Sequence, residues 1–178
     1  MVGDCRVGEK KSPCPSAVIL DTQSVKNTPT STQAVGFDAG KGIKGRKRLV
    51  VVDTLGNLLV AQVVSADPHD GAIGVAFWDR YGPAHPLLHA VQVAYVDGTF
   101  LGRFRDHLAL AYQIRVEKPA QIVKQLTNFC LHQKRWIVER TIAWLNVNRR
   151  LSKDYERCTA RASAWLYLAN IRRILKFC

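Results

Sequence analysis

The chain has 178 residues, of which 26 are Lys or Arg and 14 are Asp or Glu, giving a formal net charge of +12. With 47% hydrophobic residues it can bury the core of one ordinary domain, which excludes a disordered chain. No run of about 18 apolar residues is present to span a bilayer. A positive surplus of this size repels itself unless a polyanion shares the surface. It therefore points to nucleic acid, with a ribosomal protein or a generic basic surface as the alternative.

Residues 1–15 are polar, charged and Pro-containing, and they read as a flexible arm. They lack the apolar stretch of a signal peptide, so the chain is expected in the cytoplasm. Cys5, Cys14, Cys130, Cys158 and Cys178 are scattered, with no C-x-x-C pair to suggest zinc or a redox centre, and they read as thiols in a reducing compartment. The apolar run AVIL, ending at Asp21, predicts a buried strand. Residues 26–45 are rich in Thr, Ser, Gly and Lys and predict a loop. The loop runs into KGIKGRKR and a second strand from Arg48 to Val52. A turn at Gly56-Asn57 leads to a third strand, Leu58 to Val64, completing an antiparallel hairpin.

Pro68 followed by Asp70 marks a helix start with Asp70 as N-cap, and Ile73, Ala76 and Phe77 fall on one face. Val91 to Val96 is a fourth strand ending at Asp97-Gly98; a helix over Leu101 to Ala111 and a short strand over Gln113 to Val116 follow. Residues 119–132 read as helix in one half and strand in the other. From Lys134 to Asn148, the spacing of Val138, Ile142 and Leu145 predicts a helix. After the polar break SKDYERCT comes a last helix, Ala160 to Phe177. Its stripe of Ala164, Leu168, Ile171 and Leu175 is expected to face the core, with Arg172, Arg173 and Lys176 off it. This order predicts an α/β domain over 16–178, a mixed five-stranded sheet with flanking helices and a helical C-terminus.

Two aspartates close apolar strands, Asp21 after VIL and Asp97 after AYV. In open α/β sheets functional groups gather beyond the carboxyl ends of strands. Carboxylates side by side there repel unless a cation lies between them, and hard cations such as Mg²⁺ take oxygen ligands. Glu139 is the candidate third acid. The alternatives are a solvated strand end at Asp21, a plain turn at Asp97-Gly98, and a surface bridge from Glu139 to Arg135 one helical turn away.

Lys41, Lys44, Arg46, Lys47 and Arg48 are candidates to hold DNA phosphates, and so are Arg135, Arg140, Arg149 and Arg150 around Glu139. A solvated charged hairpin is the alternative for the first group. Trp136 and Trp144 suit stacking on an unpaired base, but at helical spacing they are expected in the core. The five histidines show no metal-ligand spacing.

DTQSVK at 21–26, GFDAGKGIKGRKR at 36–48, VDTLGNLL at 52–59 and RWIVERTIAWLNVNRRLSKDYER at 135–157 resemble the transposases of the insertion-sequence-five group, which are DDE transposases. The resemblance runs from about Ser16 to Phe177 and implies a ribonuclease-H-like fold. It implies Asp21, Asp97 and Glu139 as catalytic and metal-binding acids, with Mg²⁺ or Mn²⁺, two ions, as cofactor. It also implies double-stranded DNA, both transposon ends and target, as substrate, and a homodimer on DNA. Related enzymes carry a Tyr-x₂-Arg-x₃-Glu-x₆-Lys pattern; Arg135 and Glu139 fit it, while His132 and Asn146 stand at the Tyr and Lys positions. The turn after the second Asp, usually Gly-Gly-Tyr-like, is Gly98-Thr99-Phe100 here. Longer members begin with a helical DNA-binding region. This chain starts almost at the first catalytic strand, as expected of a second reading frame fused by frameshifting to an upstream DNA-binding partner, or of a decayed copy. The rival functions are a metal-dependent nuclease of the same fold and a non-catalytic DNA-binding remnant.

Overall fold

A computed structural model of the chain describes residues 1–119, 121–123, 130–132 and 134–177. The elements in order are α1 (Val2–Gly8), β1 (Ala17–Lys26), β2 (Gly36–Asp38), β3 (Ile43–Asp53), β4 (Leu58–Ser65), α2 (Asp70–Tyr81), β5 (Val93–Tyr95), α3 (Arg103–Tyr112), β6 (Arg115–Glu117), β7 (Gln121–Val123), β8 (Cys130–His132), α4 (Arg135–Asn146) and α5 (Thr159–Phe177).

The main sheet runs β2-β3-β1-β5-β6, with β4 also pairing β3. Strands β1, β3 and β4 form an antiparallel meander, while β5 and β6 lie parallel to β1 on its other side. This is the expected mixed sheet with flanking helices, with six strands where five were expected. Parallel pairing buries both faces, which is why β1 opens as a continuous apolar run. Val18, Leu20, Leu49 and Val51 point to one side, where Phe77, Trp78, Phe100, Phe104 and Leu108 close the core. Ile19, Val50 and Val52 point to the other, onto Ile137, Val138, Leu145 and Leu166. Strand alternation therefore aims Asp21, two residues after Ile19, at the α4 side.

The β3–β4 hairpin turns at Gly56, whose φ of +88° suits glycine. Asp53 clamps this turn by accepting from the backbone N–H groups of Leu55 and Asn57 at 2.9 and 2.8 Å. It also forms a buried 2.6 Å ion pair with Arg6.

Several elements differ from the sequence expectations. The first fifteen residues are not wholly a loose arm: Val2–Gly8 is helical, and Arg6 is pulled in by Asp53. Strand β1 does not stop at Asp21, because pairing with β3 continues to Lys26. The 26–45 loop contains the short strand β2. Asp70 is not the cap of α2; His69 Nδ1 accepts from Gly71 N–H, and Asp70 pairs with Lys47. In the 119–132 region β7 and β8 pair antiparallel, and residues 120 and 124–129 lie outside the described residues.

The largest inversion is on α5. Leu168, Ile171 and Leu175, expected to face the core, are 52%, 40% and 74% exposed, and Ala162, Leu166, Ala169 and Ile174 are buried instead. Both sets repeat at helical spacing. The stripe with smaller residues faces the sheet because Ala162 and Ala169 admit the close approach of β4, whose Ala61 and Val63 N–H groups bond the Tyr167 hydroxyl and Ser163 Oγ. No described helix is long and apolar enough to cross a membrane.

Candidate active site

The parallel pairing of β1 with β5 matches Ile19 to Tyr95. Asp21 and Asp97 each lie two residues beyond that last pair, at the same end of the sheet, where the Asp97 charge acts on the Asp21 carboxyl. Helix α4 packs its Ile137, Val138, Thr141 and Leu145 against the sheet face that carries Ile19. The Thr141 hydroxyl donates 2.8 Å to the Gly56 carbonyl, fixing the helix to the β3–β4 turn. Glu139 lies on the outward part of α4, about half exposed.

Arg135 joins the acids. Its Nη1 is 3.3 Å from Asp97 Oδ1 and its Nε is 3.1 Å from Glu139 Oε1. The helix-turn bridge to Glu139 therefore forms, but Arg135 holds a second acid at the same time. Burial pushes the Asp21 carboxyl up to about 6, against the pull of the Thr22 N–H, Arg135 and Lys41, and the Asp97 charge raises it further. Asp21 thus lies within the electrostatic reach of both other groups. Lys41 stands on the opposite flank, its Nζ 3.3 Å from the Thr22 carbonyl and its backbone N–H on Asp38 Oδ1.

The donor chemistry suits a hard cation: three carboxylates from β1, the end of β5 and α4 around one positive charge. That charge is a guanidinium. Among the described residues no three acidic, His or Cys groups are already disposed as a metal cage. A metal held by Asp97 and Glu139 would require Arg135 to leave them.

The basic candidates divide. Lys41 and Lys44 are exposed, Arg149 and Arg150 are exposed, and Arg135 and Arg140 are partly so. Arg150 pairs with Glu156 at 2.8 Å, and Arg140 donates to the Leu55 carbonyl at 3.0 Å. Arg46, Lys47 and Arg48, by contrast, are buried. Arg46 is fully buried in a 2.9 Å ion pair with Asp154, and it donates to the carbonyls of Gln33, Glu156 and Arg157. Arg48 is buried against the Leu151 and Lys153 carbonyls, and desolvation pulls its guanidinium down to about 10. Lys47, on the other face, pairs with Asp70 at 3.0 Å and Asp38 at 3.6 Å. Their strand runs through the middle of a two-sided sheet, so charge there is turned inward.

Sequence reading missed Asp154 as the acid that receives the Arg46 charge, and Asp70 and Asp38 as those that receive the Lys47 charge. The signal was present: GRKR and SKDYER are both motifs of the resemblance, and the structure joins them. Trp136 and Trp144 are not core residues; they are 41% and 39% exposed.

A family profile described as the transposase DDE domain matches residues 12–175. No curated protein matches the sequence. Among solved structures, the chain is similar to the catalytic core domain of BIV integrase in crystal form I, with 15% identity over 88% of this chain and 81% of that one, at a TM-score of 0.48. By the match over nearly its whole length, the chain belongs to the family of transposase DDE domains.

Proposed function

We propose that this chain is the catalytic domain of an insertion-sequence transposase of the insertion-sequence-five group, acting on double-stranded DNA in a bacterial cytoplasm. The observation that carries the reading is the gathering of Asp21, Asp97 and Glu139 around Arg135 at one sheet edge. Water attacks the phosphodiester at the element's end, and the freed 3′-hydroxyl then attacks target DNA, both as in-line phosphoryl transfers. Asp21, Asp97 and Glu139 would hold Mg²⁺ or Mn²⁺, two ions, which supply Lewis-acid stabilisation of the reacting oxygens. The chain's own residues do the rest. Arg135, released from Asp97 and Glu139, is placed to grip a phosphate bidentately. Lys41 presents a second cation across Asp21, with Lys44, Arg140, Arg149 and Arg150 further along the DNA path. A homodimer on DNA and an upstream DNA-binding region complete the reading.

The Arg135 contacts favour a second reading, a remnant that binds DNA without cutting it, in which the guanidinium permanently neutralises the acids. A gel assay with Mg²⁺ on end-containing DNA separates the cases. Joined products are expected, and Asp21→Asn, Asp97→Asn and Glu139→Gln should each remove nearly all cleavage while leaving DNA binding intact. Nicks without joining would make the protein a nuclease. No cleavage, with no rise of Tm in millimolar Mg²⁺, would make it the remnant.

A further inference from the structure

Beside the acids, α4 carries a ladder of indole and guanidinium groups, of which the reading above uses only Arg140, as a phosphate contact. Trp136, Arg140 and Trp144 follow at i, i+4 and i+8, about 12 Å from end to end. The Arg140 guanidinium lies 4.4 Å from the Trp136 ring and 4.5 Å from the Trp144 ring, and Arg173 of α5 adds a fourth layer 5.1 Å from Trp144. The ladder opens into a groove of about 640 Å³ between α4 and α5, where Trp144, Val147 and Ala169 alternate with Arg172, Arg173 and Lys176. A neighbouring depression shares Arg172 and adds Arg149, Arg150 and Trp165, the last under the Arg150 guanidinium at 5.3 Å. Among the described residues no acidic one lines either of them.

We propose that the α4–α5 groove binds unpaired nucleotides of single-stranded DNA, with bases against the indole and guanidinium planes and phosphates on Arg172 and Lys176. The inference rests on the DNA-acting reading above and extends it to a surface separate from the acids. Charge selects an anion along the whole groove. The half-open tryptophans and Val147, 83% exposed, select an anion that also offers flat apolar faces. A duplex satisfies only the first requirement, because its bases are stacked inside; a single strand satisfies both. The ladder is already stacked, so little side-chain order remains to be imposed on binding. Position also fits. Glu139 precedes Arg140 by one residue, about 100° round the helix, so a strand in the groove passes one face away from the acids.

The test is titration of the full chain with a short oligothymidylate and with a duplex of equal length, followed by tryptophan fluorescence and by filter binding. The variants are Trp144→Leu and, at exposed positions that leave the ladder in place, Arg172→Gln/Lys176→Gln. Wild type should bind the single strand with quenching. Either variant should lose about tenfold in single-strand affinity while duplex affinity changes less than twofold. Single-strand binding unaltered in both variants would overturn the proposal. So would sedimentation showing a dimer that the exposed-charge variant dissolves, since the groove would then hold a second copy. So would tighter binding of an acidic helical peptide than of the oligonucleotide. If these failures occur while Mg²⁺-dependent cleavage persists, only the groove assignment is lost. If neither DNA form binds, the proposed function goes with it.

Discussion

Two basic stretches flank the acids, and they have opposite fates. Arg46, Lys47 and Arg48 lie mid-strand on β3 and are buried, each with internal partners. Only a few residues earlier, Lys41 lies in the β2–β3 turn and Lys44 one residue into β3, against the short edge strand β2, and both are exposed. The side chains are of the same kind; the backbone differs. A strand covered on both faces leaves its cations no water, so they survive only where carboxylates and carbonyls replace it. A hairpin tip imposes no such demand, and its cations remain available to a ligand. Local charge density is therefore a poor guide to DNA contact unless the strand's place in the sheet is known.

The sharpest way to break this comparison is to remove a buried cation. Arg46→Met leaves Asp154 buried without its 2.9 Å partner, and several carbonyls lose a donor. A loss of about 3–5 kcal/mol in urea unfolding is expected. The double variant Arg46→Met/Asp154→Leu should recover part of it, because the stranded charge is gone. Lys41→Ala should stay within about 0.5 kcal/mol of wild type. Equal effects at the two sites would show that β3 is not the clamp described here.

This contrast also marks what the sequence revealed. The strand run AVIL, the Gly56-Asn57 turn and the order of strands and helices are legible because period and turn chemistry are local. Asp21 and Asp97 stood out as strand ends and Glu139 as a motif position, and parallel pairing brings the two strand ends to the same end of the sheet. What was not legible is everything decided by a partner. The burial of Arg46 depends on Asp154, more than a hundred residues away. The face of α5 that turns inward depends on how closely β4 approaches, and hydrophobicity alone chose the wrong stripe. Asp53 also closes an apolar strand, RLVVVD, and nothing local separates it from Asp21. The register pairs Asp53 with Val18 on an antiparallel strand, three residues down β1 from Asp21, roughly 10 Å from the acids and beyond any coordination bond.

A smaller effect is expected from Asp21, whose carboxyl is raised to about 6 from an ordinary value near 3.9. Between these values the folded protein keeps a proton that the unfolded chain has released. Stability therefore falls as pH rises through that window, and the loss is complete above about 6. Asp21→Asn removes the penalty. It should melt roughly 6–12 °C higher than wild type at pH 8 without metal, from about 3 kcal/mol, and the gap should close near pH 4. Millimolar Mg²⁺ should raise the wild-type Tm at pH 8 and raise the variant's less. A gap that is the same at pH 4 and pH 8 would mean that the Asp21 charge is not what separates the two proteins.

The smallest structural effect should accompany the clearest change in DNA binding. Lys41 and Lys44 have exposed side chains, and the Lys41 ammonium makes one long contact, to the Thr22 carbonyl. Replacing both with Ala should leave the unfolding curve almost unchanged. If each neutralises one phosphate, its loss removes about 0.9 from the slope of log affinity against log salt, so the double variant should bind duplex DNA with a slope shallower by about 2. Lys47→Ala is the matched control from the same strand. It breaks the ion pairs to Asp70 and Asp38 and should lower stability, yet leave the salt slope as it was, because a buried ammonium displaces no counterion from DNA. The two measurements are independent, one by urea unfolding and one by binding across a salt series. A slope that falls for Lys47→Ala and holds for Lys41→Ala/Lys44→Ala would reverse the assignment of the two groups and place β3, not the hairpin tip, against the DNA backbone.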